Sequence, residues 1–182
     1  MLKLGIIGTG AISHHFIEAA HTSQEFQLVA VYSRKLTTAQ QFASSYTDVS
    51  LFDNLEDFFQ SEFDVVYIAS PNSLHYTQAE LALASAKHVI LEKPAVTQPQ
   101  EWQNLVETAQ ENQCFIFEAA RNYHEGAFTV IKNFLADKQV LGADLNYAKY
   151  SSKMPALLSG NTPNVFSDRF AGGALMDLGI YP

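Results

Sequence analysis

A single cysteine, Cys114, occurs among 182 residues. An internal disulfide framework is therefore excluded, and the composition fits a reducing, cytoplasmic setting. Positive charge is scarce too: 11 Lys and Arg stand against 19 Asp and Glu, for a net charge of −8. A chain of that sign without a basic stripe is a poor partner for nucleic acid. No apolar stretch approaches the ~20 residues that a membrane span needs, so no membrane partner is expected. Residues 1–8 lack a basic region followed by a long apolar run and a small-residue cleavage site, so no secretory leader is expected. Internal repeats and low-complexity tracts are missing as well. The six histidines have no metal-ligand spacing with carboxylates or the cysteine, and no metal site is expected. Cys114 itself reads as a buried, inert strand residue.

What is present is alternation. Apolar, strand-like runs at 2–8, 26–32, 49–52, 64–69, 88–91 and 114–118 are separated by segments with helical spacing. Those helical segments run from Ala11 to Ala20, over 38–46, 55–60 and 73–85, and from Trp102 to Ala109. Thr97 and Gln100 have capping-box spacing, with Pro99 in the first turn. Strands that alternate with helices predict a doubly wound parallel sheet of the Rossmann type, and near-continuous apolar strands predict a sheet covered on both faces. Phe58, Phe59 and Phe63 are expected in the core.

The expected α/β domain covers residues 1–120. Residues 121–182 read as the start of a second domain, with a helix over 123–136, a strand over 143–153, a loop over 154–173 and a helix over 174–181. One strand cannot bury its own apolar face. The second domain is therefore expected to be incomplete, or completed by another chain.

Gly8-Thr9-Gly10-Ala11-Ile12-Ser13 lies between the first strand and the first helix. Such a loop lets the backbone turn tightly and approach a pyrophosphate, which then sits on the N–H groups of the helix start. Ser13 stands where glycine or alanine is usual. An acid that would bind the ribose 2′-hydroxyl of NAD belongs about 20 positions further on. Ser33-Arg34-Lys35 stands there instead. A hydroxyl and a guanidinium fork suit a 2′-phosphate, so NADP is the expected cofactor, with NAD as the second choice. The simpler reading of Arg34 and Lys35 is a solvated strand end.

Two further strand ends carry polar residues. Ser70-Pro71-Asn72, followed by His75, ends the fourth strand, and Glu92-Lys93-Pro94 ends the fifth. In open α/β sheets the carboxyl ends of strands face the ligand crevice. An ammonium placed there stabilises a developing alkoxide or passes a proton. Read alone, these residues also fit a surface turn, a strand stop and a packed histidine.

Together with Gly172-Gly173-Ala174-Leu175-Met176-Asp177-Leu178-Gly179-Ile180-Tyr181, these motifs in this order resemble the Gfo/Idh/MocA oxidoreductase family. The resemblance implies an N-terminal Rossmann domain and a C-terminal α/β domain built on a mostly antiparallel open sheet. It implies that Gly8, Thr9, Gly10, Ala11, Ile12, Ser33, Arg34, Ser70, Pro71, Asn72, His75, Glu92 and Lys93 line the dinucleotide. Arg121 is added as a basic residue facing cofactor or substrate. Lys93, Asp177 and Tyr181 are implied as the catalytic set.

Many members have histidine at the place of Tyr181, so this chain resembles the dihydrodiol dehydrogenase and glucose-fructose oxidoreductase branch. Asp177 and Tyr181, four apart, are expected on one helix face. A tyrosine serves as base where a nearby cation stabilises its phenolate. The implied activity is hydride transfer between a nicotinamide and a carbinol carbon of a sugar, polyol or dihydrodiol, by a homodimer or larger assembly. A dinucleotide sensor without catalysis is the alternative. A methyltransferase-like domain would use a glycine loop but has no need of Lys93 or the last motif.

Overall fold

The computed structural model describes residues 1–181. The chain divides into two compact units, Met1–Glu118 and a second that begins at Ala119.

In the first unit β1 (Leu2–Ile7), β2 (Phe26–Tyr32), β3 (Ser50–Phe52), β4 (Val65–Ile68), β5 (His88–Leu91) and β6 (Ile116–Glu118) form one sheet. Their order is β3-β2-β1-β4-β5-β6. Every pairing is parallel. Parallel neighbours need crossovers, and α1 (Ala11–Ser23), α2 (Leu36–Ala43), α3 (Leu55–Gln60), α4 (His75–Ala84) and α5 (Pro99–Glu111) supply them. The doubly wound sheet is thus present as expected. All four residues of β4 are buried, which is why the strand has no polar alternation. Phe58, Phe59 and Phe63 pack together in the core with Val66, Ile68, Leu83, Val89 and Leu91.

Helix starts follow local chemistry. The Asn54 side chain accepts from the backbone N–H groups of Glu56 and Asp57 and so begins α3. The box at α5 differs from the expected pair. Gln98 is the N-cap and Glu101 its partner, with Pro99 as the first helical residue. Glu101 Oε2 accepts from the backbone N–H of Gln98 and from both the N–H and the hydroxyl of Thr97. Thr97 takes part, but one residue outside the cap, because the carboxylate reaches back across three donors.

Cys114 precedes β6 rather than lying in it, and it is half-buried. Burial pushes its thiol up, so it stays protonated.

The second unit contains a 3₁₀ turn at Arg121–His124, then α6 (Gly126–Leu135), α7 (Met154–Leu158) and α8 (Ala174–Leu178). The expected helix over 123–136 therefore starts later, at Gly126. The expected strand over 143–153 is not formed: those residues have no regular backbone pairing, and Leu145, Tyr147 and Tyr150 are exposed. A strand needs a neighbour, and the described part of this unit holds no other strand. The expected loop over 154–173 includes α7 and 3₁₀ turns at Asn164–Phe166 and Asp168–Phe170. Among the described residues, no helix is long and apolar enough to cross a membrane.

Candidate cofactor site

Chain order along the sheet reverses between β1 and β4. Helices leave the two strands in opposite directions there and open a crevice at the carboxyl edge. Gly8 turns out of β1 with φ +105°, a conformation that side chains disfavour. A Cβ on Gly8 would lie 2.4 Å from the carbonyl oxygen of Ala69, just past β4. Glycine is therefore needed at this position for packing within the protein itself.

Gly10 is different. It has ordinary φ, is exposed, and a Cβ there would meet nothing within 4 Å. The space beside the Gly10 backbone is open, and a Cβ there would occupy it. Gly10 is also the N-cap of α1 and gives that helix no side-chain cap. The first N–H groups of α1 have no intrahelical partner and favour an anion. Thr9 is half-buried, and Ala11 and Ile12 are exposed at the same rim. These features fit a dinucleotide pyrophosphate.

Ser13 explains its own departure from the usual small residue. It is fully buried, and its hydroxyl donates to the Gly8 carbonyl at 2.8 Å, closing the loop beneath the cradle.

The loops after β4 and β5 lie side by side. The last ladder bond between them runs from the Glu92 N–H to the Ile68 carbonyl, 2.9 Å. Ser70, Pro71 and Asn72 are half-buried, and Asn72 opens the 3₁₀ turn Asn72–Leu74 that leads into α4. The Ser70 hydroxyl donates to Gln78 Oε1 on α4 at 2.6 Å. Glu92 is turned into the protein: Tyr67 donates to its Oε1 at 2.6 Å, and the Lys93 N–H donates to its Oε2. Burial first, then the Glu92 carboxylate, pushes the Tyr67 hydroxyl far up, so it remains a donor. Phe16 of α1 stacks on the Tyr67 ring at 3.9 Å between centroids. Lys93 is half-buried and joined to Pro94 by a cis peptide. The Ala95 N–H donates to Glu118 Oε1 at the end of β6.

His75 is the clearest difference from expectation. It is 1% exposed, so it presents no surface to a ligand. Its Nδ1 lies 2.9 Å from the Pro94 carbonyl and its Nε2 2.9 Å from the Ser70 carbonyl. Burial pushes its pKa down, while the carbonyls of Pro94, Ser70 and Ala95 and the Glu92 carboxylate oppose that shift.

Arg34 is exposed at the end of β2, and Ser33 is fixed by its N–H to the Phe52 carbonyl at 3.0 Å. The strand end beside the crevice therefore carries the residues expected for the ribose.

Arg121, Asp177 and Tyr181 belong to the second unit. Arg121 pairs with Glu125 at 3.3 Å on the surface. Asp177 is in α8, but α8 ends at Leu178, so Tyr181 does not share a helix face with it. After Leu178 the backbone changes to a turn, in which the Tyr181 N–H donates to the Leu178 carbonyl rather than to Asp177. The Tyr181 ring packs on Tyr147 at 4.8 Å. Asn122 Nδ2 donates to the Ile180 carbonyl and fixes this segment to the start of the unit.

Sequence reasoning missed Tyr67, Gln78 and Glu118. Tyr67 looks like a strand residue and Gln78 like a helix-surface residue. Only Glu118, a carboxylate at a strand's carboxyl end, had a usable signal.

A glycine cradle at the switch point of a six-stranded parallel sheet defines a dinucleotide-binding Rossmann domain. The chain belongs to the Gfo/Idh/MocA family, described as an oxidoreductase family with an NAD-binding Rossmann fold, whose model matches residues 2–120. Among curated relatives, an uncharacterised oxidoreductase, YgjR, of Escherichia coli is 40% identical over all of this chain and 56% of its own length. The scyllo-inositol 2-dehydrogenase (NADP(+)) IolU of Bacillus subtilis is 37% identical over all of this chain and 56% of its own. A trans-1,2-dihydrobenzene-1,2-diol dehydrogenase of Danio rerio is 31% identical over 99% of this chain and 53% of its own. The chain thus spans about half the length of the curated relatives it matches. The crystal structure of KijD10, a 3-ketoreductase from Actinomadura kijaniata with NADP and TDP-benzene, shares the fold with a TM-score of 0.70. It is 22% identical, over 75% of this chain and 42% of that one.

Proposed function

We propose that the complete protein is an NADP-preferring dehydrogenase or reductase acting on a carbinol carbon of a small sugar, polyol or dihydrodiol. The observation that carries this reading is the open cradle at Gly10, set at the same sheet edge as the loop bearing Lys93. The inositol and dihydrodiol activities named for its relatives supply the substrate class.

In this reading Gly8, Thr9, Gly10, Ala11 and Ile12 bind the pyrophosphate. Ser33 and Arg34 receive the 2′-phosphate. Ser70, Pro71 and Asn72 line the cofactor, with Glu92 holding the loop that presents Lys93. When bound, the dinucleotide supplies the hydride acceptor or donor at its nicotinamide. Tyr181, assisted by Lys93, takes or returns the hydroxyl proton, and Asp177 orients the substrate. Arg121 faces cofactor or substrate. Residues 121–182 begin the domain that completes the substrate pocket and joins the subunits of a dimer or larger assembly.

The cofactor preference rests on Arg34. A charge-assisted bond to phosphate contributes about 1.5–3 kcal/mol. Arg34→Ala is expected to weaken NADPH binding about tenfold or more and to change NADH binding by less than about threefold. Fluorescence titration of the complete protein measures both. An unchanged NADPH affinity refutes the assignment.

A further inference from the structure

We infer that His75 is a positioning residue with two separable arms, one holding the Ser70 loop and the other the Lys93-Pro94 loop. The inference rests on the dehydrogenase reading for its effect on turnover, but its structural content stands apart from that reading.

The ring sits at the first residue of α4, buried beneath the crevice floor. Its two nitrogens face carbonyls 24 residues apart in sequence, at Ser70 and Pro94, each at 2.9 Å. A carbonyl oxygen only accepts, so each arm requires an N–H on the ring. Burial favours the neutral ring, which carries one N–H and makes one of the two bonds at a time, so the two arms alternate on a single proton. Beyond the ladder bond from Glu92 to Ile68, the two loops leave the sheet and their spacing depends on such cross-links. The Ser70 arm fixes the loop that reaches the cofactor through Pro71 and Asn72. The Pro94 arm fixes the residue next to Lys93. The Ala95 N–H on Glu118 holds the same loop from its other side. His75 touches no ligand in this scheme and acts only through the loops it joins.

Amide side chains separate the arms. The Nδ2 of asparagine falls near the place of a histidine Nδ1, and the Nε2 of glutamine near that of Nε2. His75→Asn therefore retains the Pro94 arm, and His75→Gln retains the Ser70 arm. Hydrogen exchange of residues 69–74 and 92–96 reads each loop directly, in the complete protein and without turnover. His75→Gln is expected to raise exchange over 92–96 and to lower kcat about tenfold, more than it raises the dinucleotide Kd. His75→Asn is expected to raise exchange over 69–74 and to raise the Kd about tenfold, more than it lowers kcat.

If both variants loosen the two loops equally and shift kcat and Kd alike, or change only thermal stability, His75 is a core residue and the inference is overturned. If the exchange pattern divides as expected but the wild-type protein binds no dinucleotide, the two-armed tether stands and the dehydrogenase reading falls.

Discussion

Lys93→Met is expected to lower kcat of the complete protein by about 10²–10⁴-fold, the range for disabling general acid–base catalysis, here by removing the cation that assists Tyr181. Methionine keeps the length and the apolar stem of lysine and removes only the ammonium. Three contacts of the backbone at and beside this position do not involve that ammonium. The Lys93 N–H reaches Glu92, the Pro94 carbonyl reaches His75, and the Ala95 N–H reaches Glu118. A thermal melt of the variant beside its kinetics separates loss of chemistry from loss of folding. A fall in kcat and in kcat/KM by similar factors marks an interaction made in the transition state. A rise in KM with kcat unchanged would make Lys93 a binding residue only. Turnover at the wild-type rate would refute its chemical role altogether.

The second large effect separates two glycines that look equivalent in sequence. Gly8→Ala forces a side chain into a backbone with φ +105° and against the Ala69 carbonyl, 2.4 Å away. Left-handed strain costs about 1–3 kcal/mol, and overpacking against a backbone that is itself part of the sheet edge adds about 1–3. The expected loss of stability is about 2–6 kcal/mol, a melting temperature lower by at least about 4 °C. Gly10→Ala meets no atom within 4 Å and has ordinary φ. Its melting temperature should stay within about 2 °C, while dinucleotide affinity falls about tenfold or more as the Cβ fills the cradle. Thermal melts and titrations of the pair check both. Equal stability losses for the two would refute the packing argument for Gly8, and an unchanged affinity in Gly10→Ala would place the pyrophosphate contact elsewhere.

Much of the fold was legible because parallel strands buried on both faces leave continuous apolar runs. Val65-Val66-Tyr67-Ile68 is such a run, and it is wholly buried. The glycine loop was legible for the same physical reason it exists, a tight strand-to-helix turn. The strand over 143–153 was misread because alternation reports a face, not a partner, and the described part of its unit supplies none. A spacing of four puts Tyr181 and Asp177 on one face only while the helix lasts, and α8 ends at Leu178. The motif resemblance implies His75 as a contact of the cofactor, whereas the residue read alone fits a packed histidine, which is where its 1% exposure puts it. Its burial and its two carbonyl partners come from Ser70 and Pro94, which only the paired ends of β4 and β5 bring together. The Tyr67–Glu92 bond likewise crosses 25 residues and leaves no pattern in the chain.

The most direct test is a fluorescence titration of the folded, complete protein with NADPH and, separately, NADH. The account predicts saturable NADPH binding with NADH about tenfold weaker or more, as expected when a guanidinium meets a 2′-phosphate. Equal affinities would keep the dinucleotide site and remove the role given to Ser33 and Arg34. Binding of neither, by protein shown to be folded, would contradict the central claim that the Gly10 cradle is a dinucleotide site.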